Sequence, residues 1–330
     1  MTKTRKIAYG AVLAVVAVLF VLGGLYDMDI SNAVYSPENF AARLFESIGI
    51  FPPFVIVGAT FSTLFFLLNE EKKAYLLKRI ACVAAVAVAY FVFGFMAINE
   101  TGASETWVAL VVGGGTALCL TPINLWLMSR VKKEILRKLF VFLLFGTIVC
   151  VLADILIVNV LKYIWGRPRY REMLTDGDFS IFSAWYHING LSLHGHHSFP
   201  SGHTASASAF FVLCGLTEVF PEYKKKESFL AFVAAFYTFT MAYSRIVVGA
   251  HFLSDVTAGF LIGFVTYAVT RFIYFRHFGV PSKEAESVKE EPVLTESAET
   301  PAQASQEGAE EAETLSPKEN VSPLEKEEEA

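Results

Sequence analysis

Charge is scarce in this chain of 330 residues, 18% of which are Asp, Glu, Lys or Arg, against 54% that are hydrophobic. That balance excludes a water-soluble globule, where about a quarter of residues carry charge. Cysteine is sparse too. Cys82, Cys119, Cys150 and Cys214 all fall in apolar stretches, without the spacing of a disulfide framework or a metal site, and read as small buried side chains. The Lys and Arg residues form short clusters between apolar runs and no continuous stripe, which excludes a nucleic-acid surface. No internal repeat is visible. Aromatic residues are missing after residue 280, where residues 281–330 hold 15 Asp/Glu against 4 Lys/Arg and show no apolar periodicity. Residues 279–330 are therefore expected to form a disordered acidic tail on the cytoplasmic side, leaving a net +6 on the rest of the chain.

What the chain has in abundance is long apolar runs. About 20 helical residues cross the roughly 30 Å hydrocarbon core of a bilayer, and eight runs have that length: 7–25, 49–69, 78–99, 107–128, 139–161, 202–220, 229–248 and 253–275. The fold class expected is all-α, a polytopic transmembrane bundle in the lipid bilayer. Lys3, Arg5 and Lys6 precede the first run as in a secretory signal, but that run is long for one and no small-residue cleavage site follows, so it reads as a retained helix. Pro52 and Pro53 suggest a bent start to the second.

Basic residues favour the cytoplasmic side. Lys3/Arg5/Lys6, Lys72/Lys73/Lys78/Arg79, Arg130/Lys132/Lys133/Arg137/Lys138, Lys224–Lys226 and Arg271/Arg276 mark that side, alternating with acidic outer loops that hold Asp27, Asp29, Glu38 and Glu46, then Glu100 and Glu105. Both termini are thus expected in the cytoplasm of a multi-pass cell-membrane protein. Lys162, Arg167, Arg169 and Arg171 break the pattern by falling outside, which points to a local task for them.

Three polar segments gather on that outer face: Lys162 to Tyr170, Ser198 to Thr204, and Ser244-Arg245 followed by Gly249, His251 and Asp255. Lys162, Arg167, Arg169 and Arg245 offer positive charge and donors to phosphate oxygens. Ser201 and Gly202 precede a helix start, whose free N–H groups and dipole favour an anion. His251 and Asp255, four apart, share a helix face and resemble an oriented imidazole, while His203 supplies a second imidazole for proton transfer. Two histidines under a cationic cradle suggest phosphoryl transfer through a phosphohistidine. Taken singly, a histidine at a helix end caps it and a basic cluster marks topology; the joint placement on one face is what argues for chemistry.

These residues also resemble the signature of the type 2 phosphatidic acid phosphatases, the PAP2 superfamily, a family that includes bacterial haloperoxidases and glucose-6-phosphatase. The signature is a Lys, six residues and Arg-Pro; Pro-Ser-Gly-His; and Ser-Arg, five residues, His, three residues, Asp. It corresponds to Lys162 through Arg169, Pro200-Ser201-Gly202-His203, and Ser244-Arg245 through His251 to Asp255. The first departs at Tyr170, which takes the usual proline place, and Arg167 is an added cation. The resemblance implies an integral-membrane lipid phosphatase in which His251 is the nucleophile, Asp255 orients it, and His203 protonates the leaving alcohol and then activates water. It implies that Lys162, Arg169, Ser201, Gly202 and Arg245, with Arg167 as a further candidate, hold the phosphate. It implies no metal ion and no cofactor; the outer loops also lack a paired-carboxylate or His/Cys ligand set for a two-metal hydrolase.

By the same resemblance a six-helix phosphatase core occupies 78–278, and residues 1–77 add two N-terminal helices, candidates for a widened lateral entrance or a homo-oligomer contact. An active site at the extracytoplasmic headgroup level suits a membrane phospholipid or polyprenyl phosphate, monoester or diphosphate. A lipid or sugar phosphotransferase and a non-catalytic phospholipid-binding or transport protein are the alternatives. His187, His194, His196 and His197 are expected to line the pocket mouth, the adjacent pair being poor chelating geometry. Trp165, Trp185 and Tyr186 are expected as interfacial anchors.

Overall fold

The computed structural model describes residues 3–71, 74–100, 105–192 and 195–278, with side chains from Arg5 to His277. The expected acidic tail and His194 lie outside the described residues. Among the described residues every regular element is helical: α1 (Lys3–Val34), α2 (Phe40–Ile48), α3 (Phe51–Leu67), α4 (Tyr75–Asn99), α5 (Thr106–Ser129), α6 (Lys133–Cys150), α7 (Asn159–Trp165), α8 (Tyr170–Asp176), α9 (Gly202–Ser208), α10 (Leu216–Val219), α11 (Glu227–Val247) and α12 (Leu253–Phe278). A π-helical stretch, Val151–Val158, joins α6 to α7, and 3₁₀ turns flank α10.

Among the described residues, seven helical stretches are long and apolar enough to cross a membrane. They match seven of the eight expected runs and make this a multi-pass membrane protein. The remaining run, 202–220, is helical but broken: α9, a 3₁₀ stretch and α10 follow one another, and every residue of α9 is buried. Its Ser and Thr side chains satisfy themselves inside the bundle, as where Ser208 Oγ donates to Thr204 O at 2.9 Å, so this segment is a central strut hidden from lipid. The outer surface is apolar in turn: Phe232, Phe236 and Phe239 project from one side of α11, with Phe239 70% exposed. In water that stripe would be costly; in hydrocarbon it is the solvent-compatible face.

The second expected span, 49–69, is helix α3, and the separate short helix α2 precedes it. Asn39 caps α2 by accepting from Ala42 N at 2.9 Å, the helix ends at Gly49, and Pro52 and Pro53 occupy the first turn of α3, where a missing N–H costs nothing. The first span is longer than expected. Its helix continues through Asp27 to Val34, so Asp27 and Asp29 belong to a helix and not to a loop.

Helix α1 packs along α12 and is pinned at both ends. At one end Arg5 pairs with Glu218 (3.0 Å) and Glu227 (2.8 Å), which also hold Arg271 at 2.6 and 2.9 Å. At the other, Asp27 enters the polar centre described below. Helices α12 and α9 pack closely, where the Gly259-x-x-x-Gly263 pair lets backbones meet. A Cβ on Gly263 would fall 2.7 Å from Ala205 O and 3.1 Å from Ser208 Cβ.

Gly263→Val should therefore force α9 from α12 and cost about 1–3 kcal/mol, read as a lower unfolding temperature in detergent. Gly114→Ala, where an added Cβ meets nothing within 4 Å, should leave stability unchanged or slightly raised.

Candidate active site

The three polar segments are tied together by their backbones. Helix α7 ends at Gly166 (φ +54°), whose left-handed conformation turns the chain so that Arg167 O accepts from Ser198 N at 2.9 Å. Ser201 N donates to Asp255 O at 3.0 Å, which links the second segment to the third. Arg171 N donates to Gly249 O at 2.9 Å, closing the circuit from the first segment to the third. Gly249 (φ +67°) is also obligatory sterically, since a Cβ there would lie 2.7 Å from the Tyr35 ring.

The π-helical stretch reregisters the end of its long helix toward α9. Asp154 within it accepts from Ser206 Oγ at 2.6 Å, and a Cβ on Gly202 would lie 3.3 Å from Lys162 Nζ and 3.5 Å from Asp154 Oδ1. Lys162 therefore points at the start of α9, where Ser201 caps the helix by accepting from Thr204 N. Lys162, Arg169, Arg245, His203 and His251 are close enough to interact electrostatically. Three donors of this set, Arg169 Nε, Arg245 Nε and Arg245 Nη1, are buried without a hydrogen-bond partner. Two of them lie beside carboxylates without hydrogen-bonding to them, Arg169 Nε 3.7 Å from Glu172 and Arg245 Nη1 3.1 Å from Glu46; buried donors lacking a hydrogen bond suit an anion-binding centre.

His251 is almost fully buried, and its Nδ1 lies 2.6 Å from Ser198 O. A carbonyl oxygen only accepts, so the ring proton sits on Nδ1 and the Nε2 lone pair is free. Burial, opposed by the nearby Asp255 carboxylate, pushes the imidazole down to about 3, which keeps it neutral. Asp255 is 3.7 Å from Nδ1. Its carboxylate instead accepts from Ser198 Oγ (2.6 Å), Phe252 N (2.8 Å) and Arg167 Nη1 (2.5 Å). It thus holds the loop whose carbonyl orients His251.

Arg167, read in the sequence as an added phosphate-binding candidate, has no room for that role. It is fully buried; Nε donates to Ser183 O (2.8 Å), Nη1 to Ser254 Oγ (2.8 Å) and Asp255, and Nη2 to Asp27 Oδ2 (2.9 Å). Phe252 packs flat against it, 4.4 Å from ring centre to guanidinium. The guanidinium is occupied by the protein.

Two acidic residues read as outer-loop topology markers belong here instead. Asp27 accepts from Arg167 and from Ser254 N (3.0 Å) and Ser254 Oγ. Glu46, on α2 and fully buried, pairs with Arg171 (2.8 Å), Arg245 (3.1 Å) and Arg43 (3.2 Å), and its backbone carbonyl accepts from His203 Nε2 at 3.1 Å. Glu100, at the end of α4, lies 3.6 Å from Arg245. A sequence signal existed for Asp27: Gly23, Asp27 and Ser31 recur every four residues along one helix face, a small and polar stripe in an otherwise apolar run. For Glu46 there was none, because its arginines are up to 199 residues away.

Tyr170, in the usual proline place, is the first residue of α8, a position where proline is favoured but not required. Its hydroxyl donates to Asn32 Oδ1 at 2.7 Å and its ring meets Tyr35, so the substitution fastens α1 to the site. Of the remaining histidines, His187 faces Asn189, His196 lies 3.3 Å from Glu172, and His197 Nε2 meets Ser192 O. Their partners differ and they form no common ligand set. Trp165 donates to Trp185 O, and Trp185 to Phe20 O, so both anchor the loop between α8 and α9 to the bundle.

A multi-pass helical membrane protein with a buried neutral imidazole beneath an arginine and lysine cradle is the class that fold and geometry define. A family model, the PAP2 superfamily, matches residues 141–278, the stretch that holds all three segments. Lipid A 1-phosphatase of Rhizobium etli is 34% identical over 121 residues, covering 37% of this chain and 46% of that protein. The lipid A 1-phosphatase of Rhizobium johnstonii is also 34% identical over 121 residues, covering 37% and 43%. The chain spans somewhat under half the length of these curated relatives. No solved structure matches.

Asp27→Asn should cost about 3 kcal/mol of stability, because it leaves Arg167 buried with part of its countercharge gone; thermal unfolding in detergent measures it. A pH dependence follows from His251. Unfolded, its imidazole protonates near the ordinary 6.5, and folded, near 3. Between those values the unfolded chain holds the extra proton, so stability is lost as pH falls from about 6.5. His251→Gln should flatten that acid-side fall in unfolding temperature, whereas an unchanged slope would contradict a buried neutral imidazole.

Proposed function

We propose that the protein hydrolyses a lipid phosphate at the extracytoplasmic membrane face through a phosphohistidine on His251. The observation that carries this reading is the free Nε2 lone pair of a neutral, buried imidazole beside open arginine donors. In the first step Nε2 attacks phosphorus, the N–P bond forms as the P–O bond to the leaving group breaks, and His203, as the imidazolium that the bound phosphate's charge favours, gives that oxygen its proton and becomes neutral. In the second, neutral His203 takes a proton from water, the water oxygen attacks phosphorus as the N–P bond breaks, and His251 returns to its neutral resting form. Lys162, Arg169, Arg245, Ser201 and the Gly202 N–H hold the three phosphoryl oxygens and offset their charge. Asp255 stabilises the positive imidazole formed on the way, through the loop and carboxylate placed beside it. The step uses the chain's own cations to stabilise charge.

The site lies at the ends of helices whose outer faces are apolar, which suits a substrate with its phosphate at headgroup level and its tail in lipid. The relatives' names, lipid A 1-phosphatases, support a lipid phosphate as the substrate class. The outward orientation rests on the basic clusters that alternate with the site along the chain.

Purified protein should release phosphate from one or more members of a panel of lipid monophosphates and diphosphates, in a vanadate-sensitive manner and with metal chelated. His251→Ala should lose at least about a thousandfold of the rate, the scale expected when a nucleophile is removed. Full release by His251→Ala would sink the assignment; transfer of phosphate to an added alcohol in place of water would favour a phosphotransferase.

A further inference from the structure

The centre just described is closed. His203, His251, Arg245 and Ser201 are each more than nine-tenths buried, so a lipid phosphate cannot reach them unless something moves. An element that covers them is α2, a nine-residue helix whose Glu46 touches His203 and Arg245. Its Glu46 carboxylate spans Arg171 and Arg245 through one oxygen and meets Arg43 through the other. The same residue's carbonyl takes the Nε2–H of His203. One residue of α2 thus occupies both a cradle arginine and the second imidazole.

Deepening the phosphatase reading and resting on it, we infer that Glu46 is an internal anion that fills the phosphate cradle at rest, and that α2 is displaced when a phosphate takes its place. Charge supports this. Arg43, Arg171 and Arg245 face two carboxylates, Glu46 and the more distant Glu100, which leaves positive charge uncompensated, and a phosphate with two charges satisfies it better than a carboxylate with one. Geometry supports it too. Arg245 Nη1 is within 3.1 Å of Glu46 yet misaligned for a hydrogen bond, so the carboxylate is a poor fit to the donor it neutralises.

The helix is also built to leave. Only Ala42 and Glu46 are buried along its length, and a free helix of nine residues is marginal without packing. Its anchorage apart from Glu46 is confined to a few contacts: Ala42 packs with Val247, Val248 and Ala250, the Tyr237 hydroxyl donates to Gly49 O, and the Tyr237 ring lies 6.0 Å from Phe45. Phe40, Leu44 and Ile48 face outward and stay in an apolar setting if the helix swings into lipid. Displacement frees Arg245 for the phosphate and His203 Nε2–H for the leaving oxygen. After turnover the returning carboxylate competes with product phosphate for the same arginines and speeds its release.

Two measurements on the full chain in detergent test this. Glu46→Gln removes the competing charge while keeping the shape, so inhibition by inorganic phosphate and by orthovanadate should tighten about tenfold or more, with KM lower and kcat not raised. On the unaltered protein, orthovanadate should speed hydrogen exchange of the amides of residues 40–49. Unchanged or weaker inhibition in Glu46→Gln, or exchange at 40–49 that is unchanged or slowed by vanadate, overturns the inference. If Glu46→Gln does not fold, the exchange measurement on the unaltered chain decides alone. Lipid phosphate turnover by the unaltered protein with either negative result would fail the Glu46 inference and leave the phosphatase reading intact; no turnover and no vanadate binding would fail that reading itself.

Discussion

The polar centre depends on one buried cation. Arg167 joins Asp27 of α1, Asp255 and Ser254 of α12, all buried, and the carbonyl of Ser183 in the loop after α8. A guanidinium buried alone would be prohibitive, and two carboxylates side by side would repel; together, with their hydrogen bonds filled, each makes the other tolerable. Everything that positions His251 hangs from this knot. Asp255 is held by Arg167, Ser198 Oγ is held by Asp255, and the Ser198 carbonyl sets the proton on His251.

The N-terminal helix is consequently part of the site. It reaches the knot through Asp27, meets Tyr170 through Asn32 and Tyr35, and is fixed at its far end by Arg5 in the Glu218, Glu227 and Arg271 cluster. In hydrocarbon there is little hydrophobic gain in bringing helices together, so ion pairs, hydrogen bonds and close packing at Gly259 and Gly263 carry the association. The sparse charges of the membrane region are concentrated where they hold the bundle at its two ends.

Much of this was legible in the residues. The apolar runs announce the helices because twenty uncharged residues have few other stable forms. The paired prolines at 52 and 53 announce a break, which falls between α2 and α3. Spacing brought Lys162, His203, His251 and Asp255 to one face of the membrane, and the structure brings them into one neighbourhood. The run at 202–220 shows the limit of that approach: hydropathy cannot separate a helix that faces lipid from a strut enclosed by other helices, and burial of its Ser and Thr residues decides which it is.

By itself the sequence determined the helical class, the approximate position of most spans, the charge asymmetry and the kinds of groups at the polar ends, since those follow from local composition and period. Tertiary structure alone decided which charges are available. Arg167 looked like one more cation beside Arg169, yet it is consumed by Asp27, 140 residues away, while Arg169 and Arg245 keep donors open. Asp27 and Glu46 looked like solvated loop acids, yet both are buried against arginines. The reason is that the cost of burying a charge is offset by partners in space, and the sequence separation of those partners carries no trace of it.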